Sequence, residues 1–312
     1  MAMKPVSYAW WATFASITIA WLSVEPQVFT TSQFLALRNL LVQYSGLLAI
    51  VTMSVAMIIS ARPRWPEHSL DGLDKMYSLH KWLGISALTF AILHWVTSNA
   101  PKWGSSLGLV ERGQRPSAPP ITDPIAQFLA SYRGIAESAG EWTFYASVIL
   151  VVVALVNWVP YHLFYKTHRL MAVAYLALVF HAIVLTKFSY WLSPVGLILA
   201  PLLLAGTWSA FISLSGRIGA GRRALGGISA LQDYPGVRAL EIVIDVQKGW
   251  PGHKPGQFAF VRSEAGEEPH PYTIASAWDD KVHSITFIVK ELGDHTSRLR
   301  KKLPGSVASG WC

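Results

Sequence analysis

A single cysteine, Cys312, stands in a chain of 312 residues, which excludes a disulfide within the chain and any cysteine-based metal or iron–sulfur site. Charge is scarce: Asp, Glu, Lys and Arg make up 14% of the residues, while 52% are hydrophobic. No internal repeat and no low-complexity tract is present, so repeat architectures are set aside. No small-x-small site follows the first apolar run, which makes that run a retained anchor rather than a cleaved signal peptide.

What is present, before residue 215, is a series of apolar runs long enough for a hydrocarbon core. Six spans are predicted, over residues 8–24, 40–60, 79–97, 142–159, 170–186 and 192–214. The net charge of +8 is not a nucleic-acid signature, because its carriers flank the spans. Lys4, Arg62, Arg64, Lys75, Lys166, Arg169, Arg217, Arg222 and Arg223 stand at alternate span ends. The positive-inside rule then puts both termini in the cytoplasm and makes residues 98–141 a long outer loop, although that loop carries Lys102, Arg112, Arg115 and Arg133. The expected setting is the plasma (inner) membrane, crossed several times, with lipid as the surrounding partner. After Arg223 the pattern changes to short β-rich segments at 237–246, 257–261 and 284–289, followed by a short basic helix at 296–302. The expected division is a membrane domain over residues 1–216 and a small soluble domain over 217–312.

Four histidines lie in the apolar spans, as two pairs: His80 with His94, and His168 with His181. Ionisable residues are costly inside a bilayer and are functional candidates by default. His80 and His94 are separated by about 21 Å of helical rise and share a face to within roughly 40°. His168 and His181 match in height, at about 20 Å, but differ by roughly 140° in phase on an ideal helix, so the fifth span needs a local tightening. Two such helices side by side present two facing imidazole pairs, the arrangement for two stacked haems. Bis-imidazole ligation leaves no open iron position and suits electron transfer. The plain alternative is hydrogen-bonded or interfacial histidines. His68 and His162 fall in predicted cytoplasmic loops and are left without a role. Arg38, at the predicted outer end of the second span, is either a cation beside the outer haem or a snorkelling residue.

These spacings resemble the ferric reductase and NADPH oxidase superfamily of transmembrane flavocytochromes b. Its hallmark is a six-helix domain with two histidines on the third helix, thirteen residues between them, and two on the fifth, with twelve or thirteen between. The resemblance implies two haem b groups, the inner held by His80 and His168 and the outer by His94 and His181. Several members carry an aromatic residue seven positions before the outer fifth-helix ligand. That position is Ala174 here, with Tyr175 next to it.

The segment His270-Pro271-Tyr272-Thr273-Ile274-Ala275-Ser276 resembles the flavin motif of the ferredoxin–NADP⁺ reductase superfamily. Tyr272 can stack on an isoalloxazine, Thr273 can hydrogen-bond its reactive edge, and His270 offers a donor to phosphate. Gly293-Asp294-His295-Thr296-Ser297-Arg298-Leu299 resembles the second flavin motif, a glycine turn entering a helix whose free N–H groups suit the FAD pyrophosphate. Lys254-Pro255-Gly256-Gln257-Phe258 resembles the strand leading to the flavin and is assigned no chemistry. The expected fold is a six-helix di-haem membrane bundle followed by a small β-barrel FAD-binding domain, incomplete at its C-terminus. Family members continue into an NAD(P)H-binding domain. No Gly-x-Gly-x-x-Gly follows a strand here, so NAD(P)H is expected to donate only through a missing domain or a separate reductase partner.

The expected function is an oxidoreductase that passes electrons from cytoplasmic FAD through both haems to oxygen or a ferric or cupric complex outside. The alternative is a haem b relay subunit reduced by a separate reductase or quinone and serving an extracytoplasmic partner. A transporter using its histidines for protons is a third reading.

Overall fold

The computed structural model describes residues 4–63, 65, 69, 70, 72–108, 121–156, 158–247, 249–254, 256–262, 269–291 and 296. Helices α1 (Lys4–Val24), α2 (Phe34–Ser60), α3 (Leu73–Ser106), α4 (Pro124–Ser131), α5 (Arg133–Leu155), α6 (Tyr161–Arg169), α7 (Met171–Leu185) and α8 (Pro194–Leu214) come first in the chain. Strands β1 (Gly226–Tyr234), β2 (Ala239–Val246), β3 (Phe258–Val261), β4 (His270–Thr273) and β5 (Ser284–Lys290) follow. The chain divides into two compact units. One holds Met1–Asp71 and Lys75–Ile218, and the other holds Gly219–Cys312 with Gly72–Asp74.

Among the described residues, five helical stretches are long and apolar enough to cross a membrane: α2, α3, α5, the run Tyr161–Leu185 and α8. Helix α1 covers the first predicted span but falls outside that set, its apolar run diluted by Tyr, Trp, Ser and Thr. The helices start where local chemistry allows. Ser193 caps α8 through its hydroxyl to Val195 N, with Pro194 in the first turn, and Asp123 does the same for α4 through Ala126 N. The predicted outer loop at 98–141 is a correction: α3 runs on through Pro101 to Ser106, and α4 and the start of α5 occupy most of the rest of its described part. The segment between the fourth and fifth predicted spans is likewise helical, as α6, with Lys166 and Arg169 in its last turn, where cations favour the helix dipole.

The core of the helical unit joins Ile17 and Trp21 of α1, Leu47 and Val51 of α2, Tyr175 and Val179 of α7, and Leu199 and Leu203 of α8. Several hydroxyls inside it are satisfied within the protein, as a water-free setting favours. Thr52 and Ser54 donate to carbonyls one turn back, and the Ser54 hydroxyl meets the Tyr175 hydroxyl at 2.9 Å. Gly206 of α8 lies directly against that tyrosine, where a Cβ would collide with the phenol. Large apolar side chains such as Leu197, Leu204 and Trp208 remain on the outside of α8, the side that lipid would cover.

In the second unit β2 is central in an antiparallel sheet of order β1-β2-β5, and β3 pairs antiparallel with β4. Alternation buries Leu240, Ile242 and Ile244 opposite Val289, Phe287 and Ile285. The bridge Ile274–Phe287 links the two sheets. Strand β1 was not among the predicted elements. Its irregular burial and the bulge between Ile228 and Ala230 hide the period of two. The helix predicted at 296–302 lies outside the described residues apart from Thr296.

Candidate cofactor sites

The helical path tightens at Leu170, and this brings His168 and His181 closer in phase. Helix α6 ends at Arg169 and α7 begins at Met171, with tight three-residue hydrogen bonds from Leu170 N to Thr167 O and from Val173 N to Leu170 O. A three-residue turn winds by about 120° per residue instead of 100°, which reduces the phase offset calculated for an uninterrupted helix.

Tertiary packing brings the four histidines into two facing pairs. His80 of α3 meets His168 of α6 with ring centroids 5.9 Å apart, and His94 of α3 meets His181 of α7 at 6.1 Å. Two imidazoles on one iron stand with centroids up to about 6.4 Å apart, given about 2 Å per metal–nitrogen bond and about 1.2 Å from nitrogen to ring centre, and less where the rings tilt. Both observed separations therefore fit an iron between the rings. Backbone carbonyls hold three of the Nδ1 atoms: Ala56 O on His80 at 3.0 Å, Val42 O on His94 at 2.9 Å and Ala136 O on His181 at 2.8 Å. Each such carbonyl accepts Nδ1–H, so the lone pair is left on Nε2, the pattern that orients and strengthens a metal-ligating imidazole. His168 differs. Phe164 stacks on its ring at 5.1 Å, and its buried Nδ1 has no hydrogen-bond partner among the described residues.

Glycines shape the space around the pairs. A Cβ on Gly140 would collide with the His181 ring, and one on Gly46 would come within 3.1 Å of His94. Gly84, one turn after His80 on α3, faces open space, with nothing within 4 Å of where its Cβ would be. The residues present thus fit two haems: facing imidazoles, fixed tautomers at three of four, and an open helix face between the heights of the pairs. Tyr175 is fully buried, with its hydroxyl against Ser54 and Gly206.

Arg38 on α2 donates to Thr97 O at 3.0 Å and to Ser98 O at 2.5 Å, carbonyls just past His94, and to Asn39 Oδ1 at 2.9 Å. It borders a cavity of about 590 Å³ lined also by Asn39, Arg133, Gly134 and Glu137, with Arg133 and Glu137 paired at 2.9 Å. His162 is exposed on α6, and His68 lies outside the described residues.

In the second unit the first flavin motif forms β4 and the segment after it. Alternation puts His270 and Tyr272 on one face, half-buried, with Pro271 and Thr273 exposed on the other. The Tyr272 ring packs on the core near Phe287, at 6.1 Å between centroids. Ile274 N donates to Gln257 O at 2.9 Å, and the Ser276 hydroxyl accepts from Thr286 N at 3.1 Å, which anchors the segment to both neighbouring strands. Of the second motif only Thr296 is described, half-buried; Gly293 lies outside the described residues.

Sequence reasoning missed a polar knot joining the end of α1 to the connection between α7 and α8. The buried Glu25 carboxylate accepts from Gln27, Lys187 and the Tyr190 hydroxyl, the last at 2.7 Å, and Trp21 Nε1 donates to Tyr190 at 3.2 Å. Burial first, and then the bond to Glu25, push the Tyr190 phenol above its ordinary value of 10.0. A Glu directly after an apolar run is the one signal that could have marked it.

Comparison with known families gives two matches. Residues 45–179 match a ferric reductase like transmembrane component, a stretch that includes His80, His94 and His168 and stops two residues short of His181. Residues 233–309 match a FAD-binding domain, which takes in both flavin motifs. No curated protein matches the chain. The apolar helices and the first match make this a multi-pass membrane protein, and the second makes it a flavoprotein. A ferric reductase-like membrane component followed by a FAD-binding domain is the flavocytochrome architecture of the ferric reductase/NADPH oxidase superfamily, and the two matches support that architecture for this chain, a transmembrane oxidoreductase.

Proposed function

We propose that this oxidoreductase passes electrons from FAD on the cytoplasmic side, through two haem b groups, to an acceptor on the outer side. His80 with His168 would hold the inner haem, and His94 with His181 the outer. The acceptor is oxygen or a ferric or cupric complex. The observation that carries the reading is the meeting of four histidines in two facing pairs, each at a separation suited to one iron.

When bound, FAD divides a hydride's electron pair into single electrons and each haem iron carries one at a time. The chain's own task is to hold and orient. Carbonyls of Ala56, Val42 and Ala136 fix three imidazoles, and the turn at Leu170 aims His168 and His181 toward α3. Arg38 ties α2 to α3 just beyond His94 and adds a fixed positive charge there. Tyr272, Thr273, His270 and Ser276 are the candidates to contact the flavin, with Thr296 and Gly293 at its pyrophosphate. The basic residues at alternate span ends support both termini being cytoplasmic, in the plasma membrane.

Spectra of the purified full-length chain test the reading. Bound flavin and a reduced b-type haem band are expected together. His94→Ala and His181→Ala should each remove the outer haem and leave the inner one. Two-haem occupancy in both variants refutes the ligand assignment. Haem without flavin would favour an electron-relay subunit instead.

A further inference from the structure

The turn between β2 and β3 carries a histidine that the proposed flavin contacts do not use. His253 follows Gly252, whose φ of +82° and whose approach to Trp278, 2.9 Å from where a Cβ would stand, admit no side chain. This close approach inserts the His253 ring between two indoles, with centroids 6.1 Å from Trp250 and 5.6 Å from Trp278. Both indoles pack on the core of the second unit, so the imidazole is held from two sides. Its nitrogens have separate partners. Nε2 lies 2.9 Å from Ser276 O, and Nδ1 accepts from Trp250 Nε1 at 3.4 Å. An indole N–H only donates and a carbonyl only accepts, so the ring is fixed as the neutral tautomer with its proton on Nε2.

Ser276 closes the segment that begins at His270. That segment is tied to β3 at Ile274 N, and to β5 at Ala275 N, 2.8 Å from Thr286 O, and at the Ser276 hydroxyl. These bonds hold its two edges. The His253 bond is the side-chain contact that holds its last carbonyl from a third direction. Thr273 and Ala275 flank the buried Ile274 and are exposed, so anchoring the end of the segment fixes how its exposed residues are presented.

We propose that His253 is a positioning residue for the flavin: its Nε2–H clamps Ser276 O and so sets the conformation of residues 270–276 against the isoalloxazine. The inference rests on FAD being bound by that segment. The clamp is a neutral hydrogen bond braced by aromatic packing, and its effect reaches the cofactor only through the backbone.

The test is FAD binding by the full-length chain in detergent, followed by quenching of flavin fluorescence and by the visible circular dichroism of the bound flavin. Loss of one clamp in His253→Ala should weaken FAD binding roughly threefold to tenfold and change the flavin dichroism, while His253→Gln, with an amide N–H in place of Nε2–H, should return both to within about twofold of wild type. Haem content and far-ultraviolet dichroism report whether each variant is folded. An alanine variant with wild-type affinity and dichroism overturns the inference. So does a folded glutamine variant that recovers neither, because the donor at Nε2 is then not the operative group. If the alanine variant does not fold, the glutamine variant decides by the same criterion. Wild-type chain that takes up no FAD overturns the flavin reading itself and the inference with it, whereas an unaffected alanine variant overturns the inference alone.

Discussion

Gly140→Ala places a methyl group where the His181 ring now lies. On α5, Ala136 O accepts from His181 Nδ1 at 2.8 Å, and a Cβ on Gly140 would stand 2.8 Å from Cγ of the same ring and closer still to Nδ1 and Cε1. Cβ contacts under 3.0 Å essentially never occur, so the ring or α5 must move. Displacing the ring breaks the carbonyl bond, at about 1 kcal/mol, and crowding a packed site costs about a further 1–3 kcal/mol. Alanine's better helix propensity returns about 1 kcal/mol. The net loss is about 1–3 kcal/mol, roughly fivefold to 150-fold in the affinity of the His94–His181 pair for its haem. Two other glycines calibrate the effect. Gly46→Ala, whose Cβ would stand 3.1 Å from His94, should do less, and Gly134→Ala, with nothing within 4 Å, should do nothing to haem binding. The assay is the haem-to-protein ratio of purified variants, together with the rate of haem transfer to apomyoglobin. Gly140→Ala holding its second haem as tightly as wild type would refute the reasoning, as would an equal loss in Gly134→Ala.

Tyr272→Ala removes a half-buried ring from the flavin segment and should weaken FAD binding by about 1–3 kcal/mol, or roughly fivefold to 150-fold, by fluorescence titration; unchanged affinity counts against the motif. Lys187→Met leaves the buried Glu25 carboxylate without its cation. Because Lys187 is 38% exposed and partly screened, the cost should be about 2–3 kcal/mol, at the low end for a broken buried pair, and Glu25→Gln in the same chain should recover part of it. Thermal denaturation checks this, and an unchanged single variant sinks it. Tyr190 binds its proton more tightly in the folded chain, so the stability it lends is complete below pH 10.0 and is lost as pH rises through the higher folded value. Tyr190→Phe should flatten the alkaline limb of the stability–pH curve, and an identical limb in both proteins would show that another group is responsible.

Sequence alone determined what depends on composition and on near neighbours. Apolar run length marked the membrane helices from α2 onward, because bilayer thickness fixes the length a span needs. Alternation marked β2 and β5, because one face of each is buried. The spacing of His80 with His94, and the residues of the first flavin motif, were legible because local spacing sets height and face. Boundaries were harder to read. Residues 98–141 are rich in polar and turn-forming residues, yet much of their described part is helix, since packing and capping override weak propensity. Only the tertiary structure decided that the four histidines meet in pairs, because the contact depends on α3 lying beside α6 and α7 and on the turn at Leu170. It also supplied the partners that carry no side-chain signature: the carbonyls of Val42, Ala56 and Ala136, the missing side chains of Gly46 and Gly140, and the Ser276 carbonyl under His253. Every residue has a carbonyl, so a sequence cannot say which one faces an imidazole; that choice is made by how the helices and turns pack.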